Sequence, residues 1–174
     1  MWTSMTSPVG ELRVVAQGGA IISIDFLGPM NDGDRQTASM VAATARADGR
    51  PLGDRADDDP LLGDAVSQLD SYFARELKDF DLPLNPPGSD FQHRVWEQLR
   101  GIGYGETASY GEIAGRLGMT GHAARAVGLA NGRNPIPIVV PCHRVVGVDG
   151  SLTGYGGGLD RKQALLDLEQ DALF

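Results

Sequence analysis

Residues 109–130, SYGEIAGRLGMTGHAARAVGLA, decide how the chain folds. Ser109 is followed three positions on by Glu112, the spacing at which a hydroxyl and a carboxylate cap a helix start reciprocally, and Ile113, Ala114 and Leu117 supply an apolar face. Gly118 can end this helix. Thr120 is expected to cap a second one carrying Ala123, Ala124, Arg125, Ala126, Val127, Leu129 and Ala130. Two short helices around a glycine-containing turn are a helix-turn-helix pattern, whose second member can enter a DNA groove. The same alanines also suit close helix packing inside a core, so the pattern alone leaves both readings open.

Downstream lies the only cysteine of the chain, in Pro141-Cys142-His143-Arg144, flanked by the apolar runs Ile136–Val140 and Val145-Val146. A solitary thiol is neither a disulfide nor a cysteine zinc cluster, which leaves core filler or nucleophile. The imidazole and guanidinium beside it favour the nucleophile, because a reactive thiol needs a proton acceptor or positive charge nearby. Adjacent residues of a strand point to opposite faces, and a bridging water would relax that constraint. Next come a turn at Val148–Ser151, a glycine-rich loop at Gly154–Gly158 that matches no dinucleotide or phosphate-loop fingerprint, and a closing helix from Leu159 to Glu169.

Upstream, Trp2–Met5, Glu11–Ala16 and Ala20–Phe26 are β-prone runs separated by turn residues, predicting an antiparallel meander. Residues 28–59 turn to Gly, Asp, Ala, Arg and Pro without periodicity and read as a mobile loop. A helix opens at Pro60 and places Leu62, Val66, Leu69, Phe73 and Leu77 on one face. Prolines 83, 86 and 87 mark a stiff linker, after which Ser89 and Gln92 form another capping box before Phe91, Val95 and Leu99. The organisation expected is an α+β chain: residues 1–83 as a sheet-plus-helix domain, 84–88 as linker and 89–174 as a helical domain.

At 174 residues and a net charge of -8, an average reading disfavours nucleic acid. Yet residues 92–144 carry six arginines (Arg94, Arg100, Arg116, Arg125, Arg133, Arg144) against three glutamates, so the central region is locally basic and suited to an anionic partner. A single cysteine, no signal-peptide pattern and no long apolar run predict a cytosolic protein without disulfides or membrane spans. His93 and His122 read as surface or capping residues, and no metal or other cofactor is expected.

Taken in order, Ser109–Ala114, Ala123–Gly128, Asn134–Pro137, Pro141–Val146 and Gly154–Leu159 resemble the O6-alkylguanine-DNA alkyltransferases over residues 89–170. The resemblance implies an N-terminal ribonuclease-H-like domain and a C-terminal winged-helix-like domain. It implies a single-turnover repair protein that flips O6-alkylguanine, and also O4-alkylthymine, out of double-stranded DNA and moves the alkyl group onto Cys142. His143 would take the thiol proton through a water, Glu169 would orient His143, and Tyr110 would supply a proton to the leaving base. Arg125 would fill the gap left by the flipped nucleotide. Ala123, Ala124, Ala126 and Ala130 would lie in the minor groove, with Asn134 as hinge. Pro137, Val145, Tyr155 and Gly156 would shape the pocket. A monomer is implied, with cooperative assembly on DNA left open. Competing readings are a non-catalytic alkylguanine sensor, which would lack the thiol, a helix-turn-helix regulator, which would carry base-reading side chains, and a cysteine hydrolase, whose histidine would lie far away in sequence.

Overall fold

In the computed structural model, residues 1–28 and 51–171 are described, and they divide into two compact units, Met1–Asn85 and Pro86–Phe174. The first holds an antiparallel meander of β1 (Trp2–Ser7), β2 (Gly10–Gln17) and β3 (Ala20–Leu27). Gly18 and Gly19, at φ 61° and 79°, take the left-handed pair that a two-residue hairpin matching the sheet twist requires. Trp2 lies opposite Val15 and Ser7 opposite Gly10. Against this sheet packs α1 (Pro60–Phe73), burying Leu62, Ala65, Leu69 and Tyr72 at helical spacing.

Three expectations change here. Residues 29–50 of the stretch read as a loop lie outside the described residues, but its end is tied down: Trp2 N donates to Asp54 O at 3.0 Å and Ala56 N to Trp2 O at 2.9 Å. In the same end of the stretch, Thr3 Oγ1 donates to Asp57 Oδ1 at 2.7 Å and Asp59 caps α1 by accepting from Leu61 N and Leu62 N. The proline-rich linker begins as an edge on β3, with Ile21 N donating to Pro83 O and Asn85 N to Ile21 O. Finally, α1 stops at Phe73 rather than Leu77. Arg75 turns left-handed at φ 64°, and Arg75 N and Glu76 N bond back to Tyr72 O and Ser71 O, a helix-ending motif usually announced by glycine.

The second unit opens with α2 (Asp90–Arg100), whose Ser89–Gln92 capping box is complete in both directions. A short strand β4 (Ala108–Ser109) leads into α3 (Tyr110–Arg116), where Ser109 accepts from Glu112 N and Glu112 accepts from Ser109 N. Gly118 and Gly121 then turn at φ 70° and 72°. The next helix, α4 (Ala123–Gly132), starts after His122 with no side-chain cap, so the expected Thr120 cap is not made. Trp96 anchors α4 from α2 by donating Nε1 to Ala130 O at 2.9 Å. A 3-10 turn at Cys142–Arg144 runs into β5 (Val145–Val146), which pairs in parallel with β4, and α5 (Leu159–Asp171) follows. None of the helices among the described residues is long and apolar enough to cross a membrane.

The β4–α3 junction thus binds the helix-turn-helix to the cysteine-bearing turn through one ladder. Ser109→Ala removes the cap at that junction and is expected to lower unfolding free energy by about 0.5–2 kcal/mol in urea titrations, with the helical circular-dichroism signal retained.

Candidate active site

The cysteine turn is built by backbone bonds of unusually short span. Val139 N donates to Pro137 O at 2.9 Å across Ile138, and Cys142 N to Val140 O at 2.8 Å across Pro141. The second closes on a relaxed proline at φ -81° and ψ 63°, but the first holds Ile138 at φ 74°. For a β-branched residue this is a strained conformation, sustained only where packing over-determines it. Ile136 to Val146 are all buried, and Asn134 staples the turn by donating Nδ2 to Val140 O at 2.8 Å while its Oδ1 accepts from Ile136 N at 3.0 Å. Asn131 Nδ2 reaches Cys142 O at 3.4 Å.

Within this turn Cys142 is 4 % exposed. Burial pushes its thiol up to about 11, while the Asn134 amide, the Lys162 ammonium, a backbone donor and the Tyr155 side chain pull the other way. At neutral pH the sulfur therefore carries its proton. His143 and Glu169 have no exposed surface, and His143 Nε2 lies 2.7 Å from Glu169 Oε1. Arg144 grips the same carboxylate from Nε at 3.0 Å and Nη2 at 2.9 Å, and donates Nη1 to Ile102 O at 2.6 Å. Burial by itself raises the Glu169 carboxyl, but bonding from His143 and Arg144 more than reverses this and holds it down to about 2.

Burial also lowers the His143 pKa below its ordinary 6.5 despite Glu169, leaving a neutral ring at pH 7. Arg144 is then the permanent countercharge of the carboxylate. An ionised carboxylate only accepts, so the neutral ring must place its hydrogen on Nε2. Its Nδ1 is left as a basic lone pair, buried and without a hydrogen-bond partner among the described residues. The arrangement can hold one thiol, one fixed-tautomer base and one charge-locked orienter within a buried turn.

The remaining expected site residues divide. Tyr110, at the start of α3, accepts from Thr153 Oγ1 at 2.9 Å, which ties it to the loop that carries Tyr155 and Gly156. Pro137 and Val145 are buried beside the cysteine turn. On α4, Arg125 is exposed and Ala124 and Ala126 are part-exposed, whereas Ala123 and Ala130 are turned inward, 9 % and 3 % exposed. Those two alanines serve helix packing, so the outer face is narrower than expected. Leu129, 61 % exposed, stands on it four residues after Arg125.

Comparison with known proteins fixes the family. Residues 90–171 match the model of the 6-O-methylguanine DNA methyltransferase DNA-binding domain, and residues 1–86 that of the ribonuclease-like domain of the same family. The chain belongs to the 6-O-methylguanine DNA methyltransferase family. A curated relative, the methylated-DNA–protein-cysteine methyltransferase of Mycobacterium tuberculosis, is 47 % identical over 169 residues, covering 97 % of this chain and 92 % of its own. Its Methanosarcina acetivorans counterpart is 56 % identical over 113 residues, 65 % of this chain and 72 % of that one. Among solved structures, M. tuberculosis OGT in complex with DNA superposes with a TM-score of 0.78 at 47 % identity, covering 98 % of this chain and 93 % of that one.

Within this family member, sequence reading missed two participants. Lys162, with no exposed surface, donates Nζ to Thr153 O at 2.9 Å and faces the Cys142 sulfur electrostatically. Arg144 adjoins the thiol in sequence, but its partner is Glu169. A signal existed: Lys162, Leu165 and Glu169 fall at i, i+3 and i+7 of α5, and all three are fully buried, so two charges occupy the phase of the apolar stripe.

These shifts set a pH profile for stability. Glu169 is depressed from 4.5 to about 2 and His143 lies below 6.5, so the unfolded chain binds more protons in acid, and stability is lost as pH falls below 6.5 and again from 4.5 towards 2. Cys142 is raised from 9.0 to about 11, so its contribution is complete below 9 and lost as pH rises to about 11. Urea unfolding of Cys142→Ser should show a shallower alkaline decline than the parent and an unchanged acid limb. Identical alkaline declines would contradict a buried, protonated thiol.

Proposed function

We propose that the chain repairs alkylated DNA directly, moving the alkyl group from O6 of guanine onto Cys142 Sγ once per molecule. The observation that carries this reading is the enclosed Cys142, His143, Glu169 and Arg144 set, together with the activity of the curated relatives on methylated DNA and a protein cysteine. A sulfur this buried cannot meet a base stacked within a duplex, so the damaged nucleotide is everted, at an unstacking cost of a few kcal/mol that is least for damaged bases. O4-alkylthymine presents a comparable alkoxy group to the same pocket.

In the transfer, a water bridges Cys142 Sγ and His143 Nδ1 and conveys the thiol proton to the ring, whose charge Glu169 offsets. The thiolate attacks the alkyl carbon, the S–C bond forms as the C–O6 bond breaks, and the electron pair leaves on the guanine. Tyr110 donates its phenolic hydrogen to the base as that charge develops. Pro137, Val145 and Tyr155 wall the base, and Gly156 lets backbone approach it. Asn134 holds the turn that joins α4 to the sulfur. The outer face of α4 lies in the minor groove, where Ala124 and Ala126 offer no base-reading groups and Arg125 takes the space of the everted nucleotide. Such indifference to sequence suits a search for lesions. No cofactor is consumed, because the acceptor is the protein itself, and the chain acts as a monomer.

Intact mass spectrometry after incubation with an O6-methylguanine duplex should find one added methyl per chain, located on Cys142, and none on Cys142→Ser. His143→Ala should slow transfer about 10²–10⁴-fold while leaving DNA affinity unchanged. No adduct would favour a regulator. Repeated turnover without a retained adduct would favour a hydrolase.

A further inference from the structure

Two groups that the transfer steps above do not use, Thr153 and Lys162, form a hydrogen-bond chain from the loop between β5 and α5 to Tyr110. Thr153 Oγ1 donates to the Tyr110 hydroxyl at 2.9 Å, and the carbonyl of the same residue accepts from Lys162 Nζ at 2.9 Å. Burial disfavours the charged form of Lys162 and so lowers its pKa, with the nearby Cys142 opposing this. An ammonium without exposed surface that spends a donor on a loop carbonyl holds that carbonyl firmly, since leaving it would abandon a buried donor. The backbone of Thr153 is thus pinned from inside the unit while its side chain reaches outward to the phenol.

A phenol oxygen that accepts one hydrogen bond keeps its own hydrogen to give, and accepting strengthens it as a donor. We propose that Thr153 is a positioning residue for alkyl transfer: by donating to the Tyr110 oxygen it leaves the phenolic hydrogen directed at the departing base, and Lys162 fixes it in that place. The inference rests on Tyr110 acting as proton donor to the leaving guanine. Thr153 is exposed in the free protein, where water can replace its hydrogen bond at little loss. An everted base covering the loop would exclude that water, so the bond matters in the transfer step and not in folding.

Single-turnover rates at saturating O6-methylguanine duplex test this with Thr153→Val and Thr153→Ser, each made in the parent and in Tyr110→Phe. Thr153→Val should slow transfer about three- to tenfold with unaltered thermal unfolding, Thr153→Ser should restore the rate, and Thr153→Val should add nothing in Tyr110→Phe. A loss that serine does not restore, or an equal loss without the phenol, assigns Thr153 to loop packing and overturns the inference. Normal transfer by the parent matched by Thr153→Val contradicts this inference alone. Absence of transfer by the parent contradicts the proposed function and this inference with it.

Discussion

The Glu169 carboxylate is the group on which the site depends. Removing such a charge from water costs several kcal/mol even after relaxation, and it is tolerated here because Arg144 binds it through two nitrogens and His143 through one. The arrangement joins three parts of the second unit, since Arg144 also holds the Ile102 carbonyl and Gly105 N donates to Glu169 Oε2 at 3.3 Å. Helix α5, the cysteine turn and the loop after α2 therefore share one buried knot of charge. Its chemical consequence is a histidine whose tautomer is not free to change.

The base beside the thiol is neutral and the thiol itself is protonated at rest, so the site differs from one that stores a thiolate–imidazolium pair. Because thiolate is the reactive form, a protonated sulfur is slow towards oxidants and stray electrophiles. On the proposed reading such restraint suits a residue that reacts once. Reactivity would then arise only when a base fills the pocket and the proton can pass to His143. The strained Ile138 and the Asn134 staple keep the sulfur at a fixed depth while this happens.

Much of the architecture was legible because local signals agreed with packing. Both capping boxes, at Ser89 and Ser109, start helices where the spacing requires, and the Gly18-Gly19 pair closes the hairpin between β2 and β3. Misreadings arose where tertiary contacts replaced a local signal. Arg75 ends α1 without glycine, the close of the 28–59 stretch is fixed by Asp57 accepting from Thr3 and Asp59 capping α1, and His122 precedes α4 where Thr120 was expected. The alanines of α4 illustrate the limit of periodicity: small residues face both core and solvent, and only burial separates Ala123 and Ala130 from Ala124 and Ala126. In the site, Cys142 and His143 could be singled out from chemistry and adjacency. Glu169 required the family resemblance, since a glutamate is ordinarily solvated, and Lys162 is marked only by a charge inside an apolar phase.

Nitrogen-15 NMR of histidine-labelled protein at pH 7, in the resting state and free of DNA, reads the protonation of His143 directly. The ring should be neutral, with its hydrogen on Nε2 and none on Nδ1, beside a protonated Cys142. An imidazolium with both nitrogens protonated, paired with a thiolate, would contradict this arrangement.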